Sequence, residues 1–350
     1  MVSVVIVSYN SSAYLDACLA SLARQDYTPL EILVVDNASQ DATREILSRR
    51  RGELRSILNG ANVGFAAGVN LGIRAAHGEW VLSLNPDVLL AEDFIREMVA
   101  AGTAQPSAGM VSGKLLRWRP GEQPERTNVL DSTGIFFRRN LRHLDRGSDE
   151  LDRGQYDRPE FVFGVTGAAA LYRRAMIEDV SLDGEFLDEE FFAYREDADL
   201  AWRAQMFGWS CVYSPSAVAW HVRRVTPERL RVLPLPIRWH SVKNRFLMRV
   251  KNIGSGLAVR LFFPVLLRDL LIAGYAAFVD WRLLSALAYP WTHVRGVLRK
   301  RRTIQSRRRV ADSALARWFS DQPASFPLPR PAESAIPAPT AVFRETVATR

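Results

Sequence analysis

The 350-residue chain is 48% hydrophobic and 24% charged, ordinary globular usage that excludes collagen-like, disordered and disulfide-scaffold classes and fits about two domains. Its net charge of +8 is unevenly spread: residues 241–350 carry 19 basic and 6 acidic side chains, a net +13, on a body of net −5. That asymmetry points to an anionic surface near the C-terminal third, either lipid or nucleic acid.

The N-terminal stretch MVSVVIVSYN lacks a basic leader region and is too short in its apolar part for a signal peptide, so it reads as a buried strand, Val2–Ser8. A helix follows with Leu15, Cys18, Leu19 and Leu22 on one stripe. Glu31–Asp36 is a second strand, Asp41–Arg51 a second helix and Arg55–Leu58 a short third strand. Phe65–His77 reads as a helix with Phe65, Val69, Ile73 and Ala76 inward, and Trp80–Leu84 as a fourth strand. This alternation predicts an α/β fold with a parallel, right-handed sheet. Residues 109–165 are less regular and read as loops with a few added strands, including the charged stretch Arg138–Glu160. Phe161–Tyr172 is expected as a strand, Glu196–Phe207 as a helix and Ser210–Tyr213 as a strand. The two cysteines, Cys18 and Cys211, stand in apolar runs and are expected as buried thiols, in keeping with a reducing compartment.

Pro227, Pro234 and Pro236 mark a joint, beyond which His240–Lys251 and Gly256–Leu298 are helical in pattern. The longest uninterrupted apolar run there, Leu270–Val279, is ten residues, about half of what a spanning helix needs. Tyr275, Trp281, Tyr289 and Trp291 among basic residues favour helices lying in a lipid interface. The clusters Arg299–Arg302 and Arg307–Arg309 would add attraction to anionic lipid. The competing reading is a soluble helical subdomain packed on the body; nucleic-acid binding ranks below both because no recognised motif accompanies the charge. Six prolines between Asp321 and Thr340 predict a disordered tail. The division is therefore 1–225, 226–310 and 311–350.

Ligands of open α/β sheets bind beyond the carboxyl ends of the strands. Here the strands end in Ser8-Tyr9-Asn10, in Asp36-Asn37-Ala38-Ser39, in Asn59 and Asn62, and in Asn85-Pro86-Asp87. Each alone could be a turn or a cap, but four along one rim mark a ligand site. Neither a GxGxxG after the first strand nor a GxxxxGK[ST] is present, so dinucleotide and P-loop cradles are not supported. Asp87 suits Mg²⁺ or Mn²⁺ beside a substrate phosphate, and serves equally well as a cap for a helix starting near Ala91.

A dense acidic group follows: Asp188, Glu189, Glu190, Glu196, Asp197 and Asp199. Asp197 shares the inward stripe of Leu200, Ala201 and Ala204, whereas Asp199, with Arg203 at i+4, reads as a surface ion pair. Asp197 is either a first-turn acid answering the helix dipole or a general base whose pKa its neighbours raise. His221, after Val218-Ala219-Trp220, is not assigned by position alone.

The stretches VSVVIVSYN, EILVVDNASQDAT, NVGFAAGVNLG, LSLNPDV, TGAAALYRR and FFAYREDADLAWRAQMFGW, with His221 after them, occur in an order that resembles the family 2 glycosyltransferases of the GT-A fold. The likeness covers roughly residues 1–225 and is strongest to the bacterial rhamnosyltransferase-like branch, whose members commonly carry membrane-associating C-terminal helices. It implies a Rossmann-like, mostly parallel sheet flanked by helices, with Ser8, Tyr9, Asp36, Asn62 and Asn85 at the donor nucleotide. It implies Asp87 and His221 at a Mg²⁺ or Mn²⁺ ion, with Asn rather than Asp opening the metal triplet. Asp197 corresponds to the catalytic base, and Asp188, Glu189, Glu190 and Glu196 fall on the acceptor side.

The activity so implied is inverting, metal-dependent transfer of a sugar, rhamnose from dTDP-rhamnose first, from a nucleotide-diphosphate donor to a saccharide acceptor. The acceptor would be lipid-linked and the setting cell-envelope polysaccharide synthesis, cytoplasmic and peripheral on the inner face of the membrane through residues 240–310, with no nucleic-acid partner. Two alternatives compete with it. A sugar-nucleotide pyrophosphorylase would carry a Gly-rich loop with a basic pair after the first strand, which is absent after Val7. A catalytically dead membrane-recruited scaffold is disfavoured by the intact Asp36, Asp87 and Asp197.

Overall fold

The computed structural model describes residues 1–119, 125–223 and 233–329. The first half is β1 (Val2–Ser8), α1 (Leu15–Ala23), β2 (Leu30–Asp36), α2 (Thr43–Arg49), β3 (Arg55–Leu58), α3 (Phe65–Ala75) and β4 (Trp80–Leu84). There follow β5 (Val88–Leu90), α4 (Phe94–Thr103), β6 (Ala108–Arg119), β7 (Glu125–Ser132), β8 (Ile135–Phe137), β9 (His143–Asp145) and β10 (Glu160–Val162). Next come β11 (Ala169–Arg173), α5 (Arg174–Val180), α6 (Glu196–Met206) and β12 (Ser210–His221). The C-terminal third is α7 (Leu235–Asn252), α8 (Ser255–Arg260), α9 (Phe262–Phe278), α10 (Leu284–Thr292), α11 (Val294–Ser306), α12 (Asp312–Leu315) and β13 (Phe326–Pro327).

The expected parallel sheet is formed by β3-β2-β1-β4. β11 then inserts antiparallel between β4 and β6, and β12 runs parallel to β6, so the whole sheet is mixed. Residues 109–165 hold far more regular structure than their composition predicted. β6 alone is twelve residues long, its glycines tolerated because neighbouring strands pair on both sides.

Every residue of β1 is buried, and alternation divides them between two cores. Val2, Val4 and Ile6 pack with Leu15, Cys18, Leu22, Ile46 and Phe94 on one face. Val5 and Val7 pack with Val69, Ile73, Met176 and Leu200 on the other. α3 lies very close to β1, since a Cβ at Gly72 would stand 2.2 Å from Val5 Cγ1 and one at Gly68 2.8 Å from Val7 Cγ1. That close approach brings the start of α3 to the carboxyl rim of the sheet.

The second core does not stop at residue 225. Leu247, Met248, Leu257, Val297, Ile304, Leu315, Trp318 and Phe319 belong to the same cluster as the sheet residues. Residues beyond 310 join that cluster as well. Phe319 packs at 5.0 Å from Trp202 and 5.6 Å from Phe137, and β13 adds to the sheet beside β10. A composition rich in proline hid two large aromatic anchors. The rest of the expected tail, from residue 330, and the joint at Pro227 lie outside the described residues.

The C-terminal helices resolve into an inner and an outer layer. α7 and α11 pack on the body, and the basic clusters are largely used there. Lys300 is buried against Asp188, Arg301 donates to the carbonyls of Val250 and Ile253, Arg308 pairs with Asp312 and Arg309 with Asp179. The outer helix α9 leaves Phe263, Leu267, Leu270, Leu271 and Phe278 exposed, continued by Trp281 and Trp291. No helix among the described residues is long and apolar enough to cross a membrane.

Candidate active site

The parallel register sets Ser8 beside Asp36 at the ends of β1 and β2. Both are fully buried. Asp36 takes the Arg44 guanidinium at 2.7 Å and accepts from the Ser39 amide at 3.2 Å, while its Oδ1 and the Ser8 hydroxyl have no hydrogen-bond partner among the described residues. Neither residue borders the rim hollow; their chain neighbours Tyr9 and Asn37 do, in a space of about 350 Å³ also bordered by Asn62, Phe65, Asn85 and Asp87. Asn62 Oδ1 accepts from the Gly64 amide at 2.9 Å and so shapes the turn into α3. Phe65, expected inward, packs against the core with one side and borders the hollow with the other.

Asp87 precedes β5 and not a helix, so the capping alternative does not hold: α4 begins only at Phe94. β5 pairs antiparallel with the end of β12, opposing Val88 to His221. That ladder brings His221 Nε2 to 3.6 Å from Asp87 Oδ1, while His221 Nδ1 lies 2.8 Å from Asp131 Oδ2. Burial disfavours a charged ring there, yet Asp131 and Asp87 outweigh it and push His221 up to about 10. Asp131, fully buried at the end of β7, also receives Arg223. Among the described residues no three His, Cys, Asp or Glu side chains converge as a metal cage. A carboxylate and an imidazole oriented from behind by a second carboxylate nevertheless fit a divalent ion that takes the place of the Nε2 proton and completes its shell with diphosphate oxygens.

Asp197 stands in the first turn of α6, preceded by Arg195 in the left-handed conformation (φ 71°). Its Oδ2 accepts from the Gly167 amide at 3.0 Å and its Oδ1 from the Ala198 amide at 2.7 Å. Glu196 is its buried neighbour. Burial, with the repulsion of Asp197, pushes Glu196 up to about 8; burial likewise raises Asp197, with the two backbone donors acting against it. Asp197, Glu196, Asp87, Asn85 and His221 all border one cleft of about 850 Å³. Asn85 and Asp87 also border the smaller hollow, so they stand where the two spaces meet.

The other acidic candidates lie elsewhere. Asp188 is buried between Lys251 and Lys300, whose charges outweigh desolvation and hold its carboxyl well below the usual range. Glu189 accepts from Asn70 at 3.0 Å, and Glu190 lies 3.3 Å from Lys300. None of the three, for which an acceptor side was expected, borders either hollow, whereas Glu196 borders the larger cleft. Asp199 is fully buried on Lys251 and Asn252, not a surface pair with Arg203. These carboxylates meet α7 and α11, whose lysines are too distant in sequence for spacing to reveal them. Asp131 and Arg195 were missed for a related reason: the first orients His221 from a segment read as loop, and the second meets its cleft neighbours His143 and Ser241 only in the folded chain.

The family model described as "Glycosyl transferase family 2" matches residues 3–181. An N-acetylglucosaminyl-diphospho-decaprenol L-rhamnosyltransferase of Mycobacterium tuberculosis is 32% identical over 238 residues, covering 62% of this chain and 75% of that protein. Among solved structures, S. aureus TarS 1-349 in complex with UDP-GlcNAc aligns with a TM-score of 0.52 at 18% identity, covering 81% of this chain and 78% of that one. GalNAc-T7 with UDP, GalNAc and Mn²⁺ aligns with a TM-score of 0.56 at 15% identity, over 72% and 48% of the two chains. At those identities the two structures speak for the GT-A fold.

Proposed function

The chain belongs to glycosyl transferase family 2, and on that premise we propose that it transfers L-rhamnose from dTDP-rhamnose to a hydroxyl of a lipid-linked saccharide, inverting the anomeric carbon. One observation carries the reading: Asp87, at the mouth of the rim hollow, opens into the same cleft as Asp197. A donor in the smaller hollow would place its diphosphate at Asp87 and its sugar toward Asp197. The choice of donor and acceptor is supported by the mycobacterial relative, which is named for rhamnosyl transfer onto N-acetylglucosaminyl-diphospho-decaprenol.

A sugar hydroxyl is a weak nucleophile, so a base must take its proton as it attacks. Asp197 does this, held in place by the Gly167 and Ala198 amides. Asp87 and His221 would hold the divalent ion, with Asp131 fixing the imidazole. When bound, that ion neutralises charge on the departing nucleoside diphosphate. Attack by the acceptor opposite the leaving group needs no covalent intermediate on the protein. The exposed apolar side of α9 supports attachment to the inner face of a membrane. Because most of the neighbouring basic side chains are engaged internally, that attachment rests on apolar contact more than on charge.

Thermal shift with dTDP-rhamnose, UDP-sugars and GDP-sugars, each with and without Mn²⁺, tests the reading. The chain should be stabilised by dTDP-rhamnose most, and Asp87→Ala should lose the Mn²⁺-dependent part of that stabilisation. A panel without any stabilising nucleotide sugar rules the proposal out.

A further inference from the structure

The cleft that contains Asp197 has a basic wall that the chemistry above does not use. Arg138 and Arg142, flanking the β8–β9 turn, Arg195 immediately before α6, and Arg268 of α9 all border it. Among the described residues none of these four makes an ion pair with a carboxylate. Nearby acids are already engaged: Asp269 with Arg245 and Arg249, Asp145 with Arg223, and Asp149 with Arg117. Asp321 also borders the cleft, exposed, without a salt bridge to the four. Arg195 donates to the Ser241 carbonyl at 3.0 Å and faces His143 Nδ1 at 2.8 Å, while Arg268 Nε is buried with no hydrogen-bond partner.

Burial lowers the pKa of Arg195 and Arg268, and the surrounding arginines lower them further. His143, enclosed in the same group, is held neutral by burial and by those charges. Such crowding destabilises the chain unless an anion completes it, and forked guanidinium groups match phosphate oxygens in particular.

We propose that Arg138, Arg142, Arg195 and Arg268 bind the diphosphate of a lipid-linked acceptor. The assignment rests on the transferase reading and adds the place where the acceptor is held. Arg195 adjoins Glu196 and Asp197, so a sugar attached through the bound diphosphate presents its hydroxyls to the base. Arg268 links the site to lipid. It stands on α9 with Val265 and Ala276, which are buried, while Phe263, Leu267 and Leu271 on the outer side are exposed. The hydrocarbon of the same acceptor then leaves the cleft along the lipid-facing surface.

The test uses the full chain, with EDTA present so that no metal-bridged binding at the donor site contributes. Decyl diphosphate binding is titrated for the parent, for Arg142→Gln, for Arg268→Gln and for the exposed Arg138→Gln, whose removal disturbs no packing. Each variant should weaken binding about tenfold, the scale of one charge-assisted contact, while Arg302→Gln, on α11 outside the cleft, leaves it unchanged. Equal affinity in the parent and all three cleft variants overturns the site. Phosphatidylglycerol vesicles displacing decyl diphosphate at equal phosphate overturn it too, because the arginines then serve a membrane headgroup. The nucleotide-sugar panel fails independently: diphosphate binding without any nucleotide-sugar response sinks the transferase reading, and the converse sinks only this site.

Discussion

Glu196 and Asp197 are adjacent in sequence but play unlike parts in the cleft. Asp197 accepts two backbone amides, whereas Glu196 Oε2 is buried without a hydrogen-bond partner. If Asp197 is the base, Asp197→Asn should lower transfer by about 10²–10⁴-fold and leave the thermal shift with donor unchanged; turnover near the parent value would exclude the role. The pair also makes a pH prediction. A base raised by burial and by the charge of Asp145 must lose its proton before it can act, so kcat/KM should fall on the acid side at a pH above the ordinary aspartate value. Glu196→Gln should leave that acid limb in place while turnover persists, because the Glu196 carboxyl, raised to about 8, already carries no charge where Asp197 titrates. Its effect on stability has a definite sign. The Glu196 carboxyl is raised from 4.5 to about 8, so the stability it contributes is present below 4.5 and is lost as pH rises through about 8. Glu196→Gln should therefore raise Tm at pH 8.5 and change it little at pH 5, as differential scanning fluorimetry would read.

At the scale of elements, α9 is the helix whose outer side nothing covers. Phe263 is 80% exposed and Phe278 90%, values that a helix serving only the core would not show. Replacing Phe263 and Leu271 together by Glu should abolish sedimentation with phospholipid vesicles while leaving Tm within a degree or two, since neither side chain packs inward. Binding by the parent should persist in 0.5 M salt. Loss of binding in salt, with the Glu variant still bound, would show that charge and not the apolar surface makes the contact. The basic residues of α11 explain the expectation: sequence spacing exposes them all, but Lys300 and Arg301 turn inward to Asp188 and to α7 carbonyls.

Across the whole molecule, buried ion pairs join the C-terminal helices to the catalytic half. Lys251, fully buried on α7, meets Asp188 and Asp199, and Asn252 adds a bond of 2.7 Å to Asp199. Lys251→Met leaves those carboxylates short of a cation in a dry site and should cost about 3–5 kcal/mol in urea unfolding. A cost below about 1 kcal/mol would mean that α7 docks by apolar contact alone. Because Asp199 lies on α6 two residues after Asp197, this network also holds the first turn of α6, and Asp197 with it, in place, a link that no local pattern along the chain expresses.

What the sequence determined by itself was local and periodic: the strands Val2–Ser8, Arg55–Leu58 and Trp80–Leu84, the helices between them, and the polar rim at their carboxyl ends. Those follow from hydrophobic alternation and turn chemistry acting over a few residues, and Asp87 and Asp197 were legible because motifs place them at element ends. Only the tertiary structure decided which carboxylates face the cleft. Asp188 and Asp199 have the same local chemistry as Asp197, but lysines from α7 and α11 reach them, and a charge is neutralised by whatever cation lies nearest in space. The same reason hid Asp131 behind His221 and the arginine wall of the cleft, whose members Arg138, Arg142, Arg195 and Arg268 come from three separate segments of the chain.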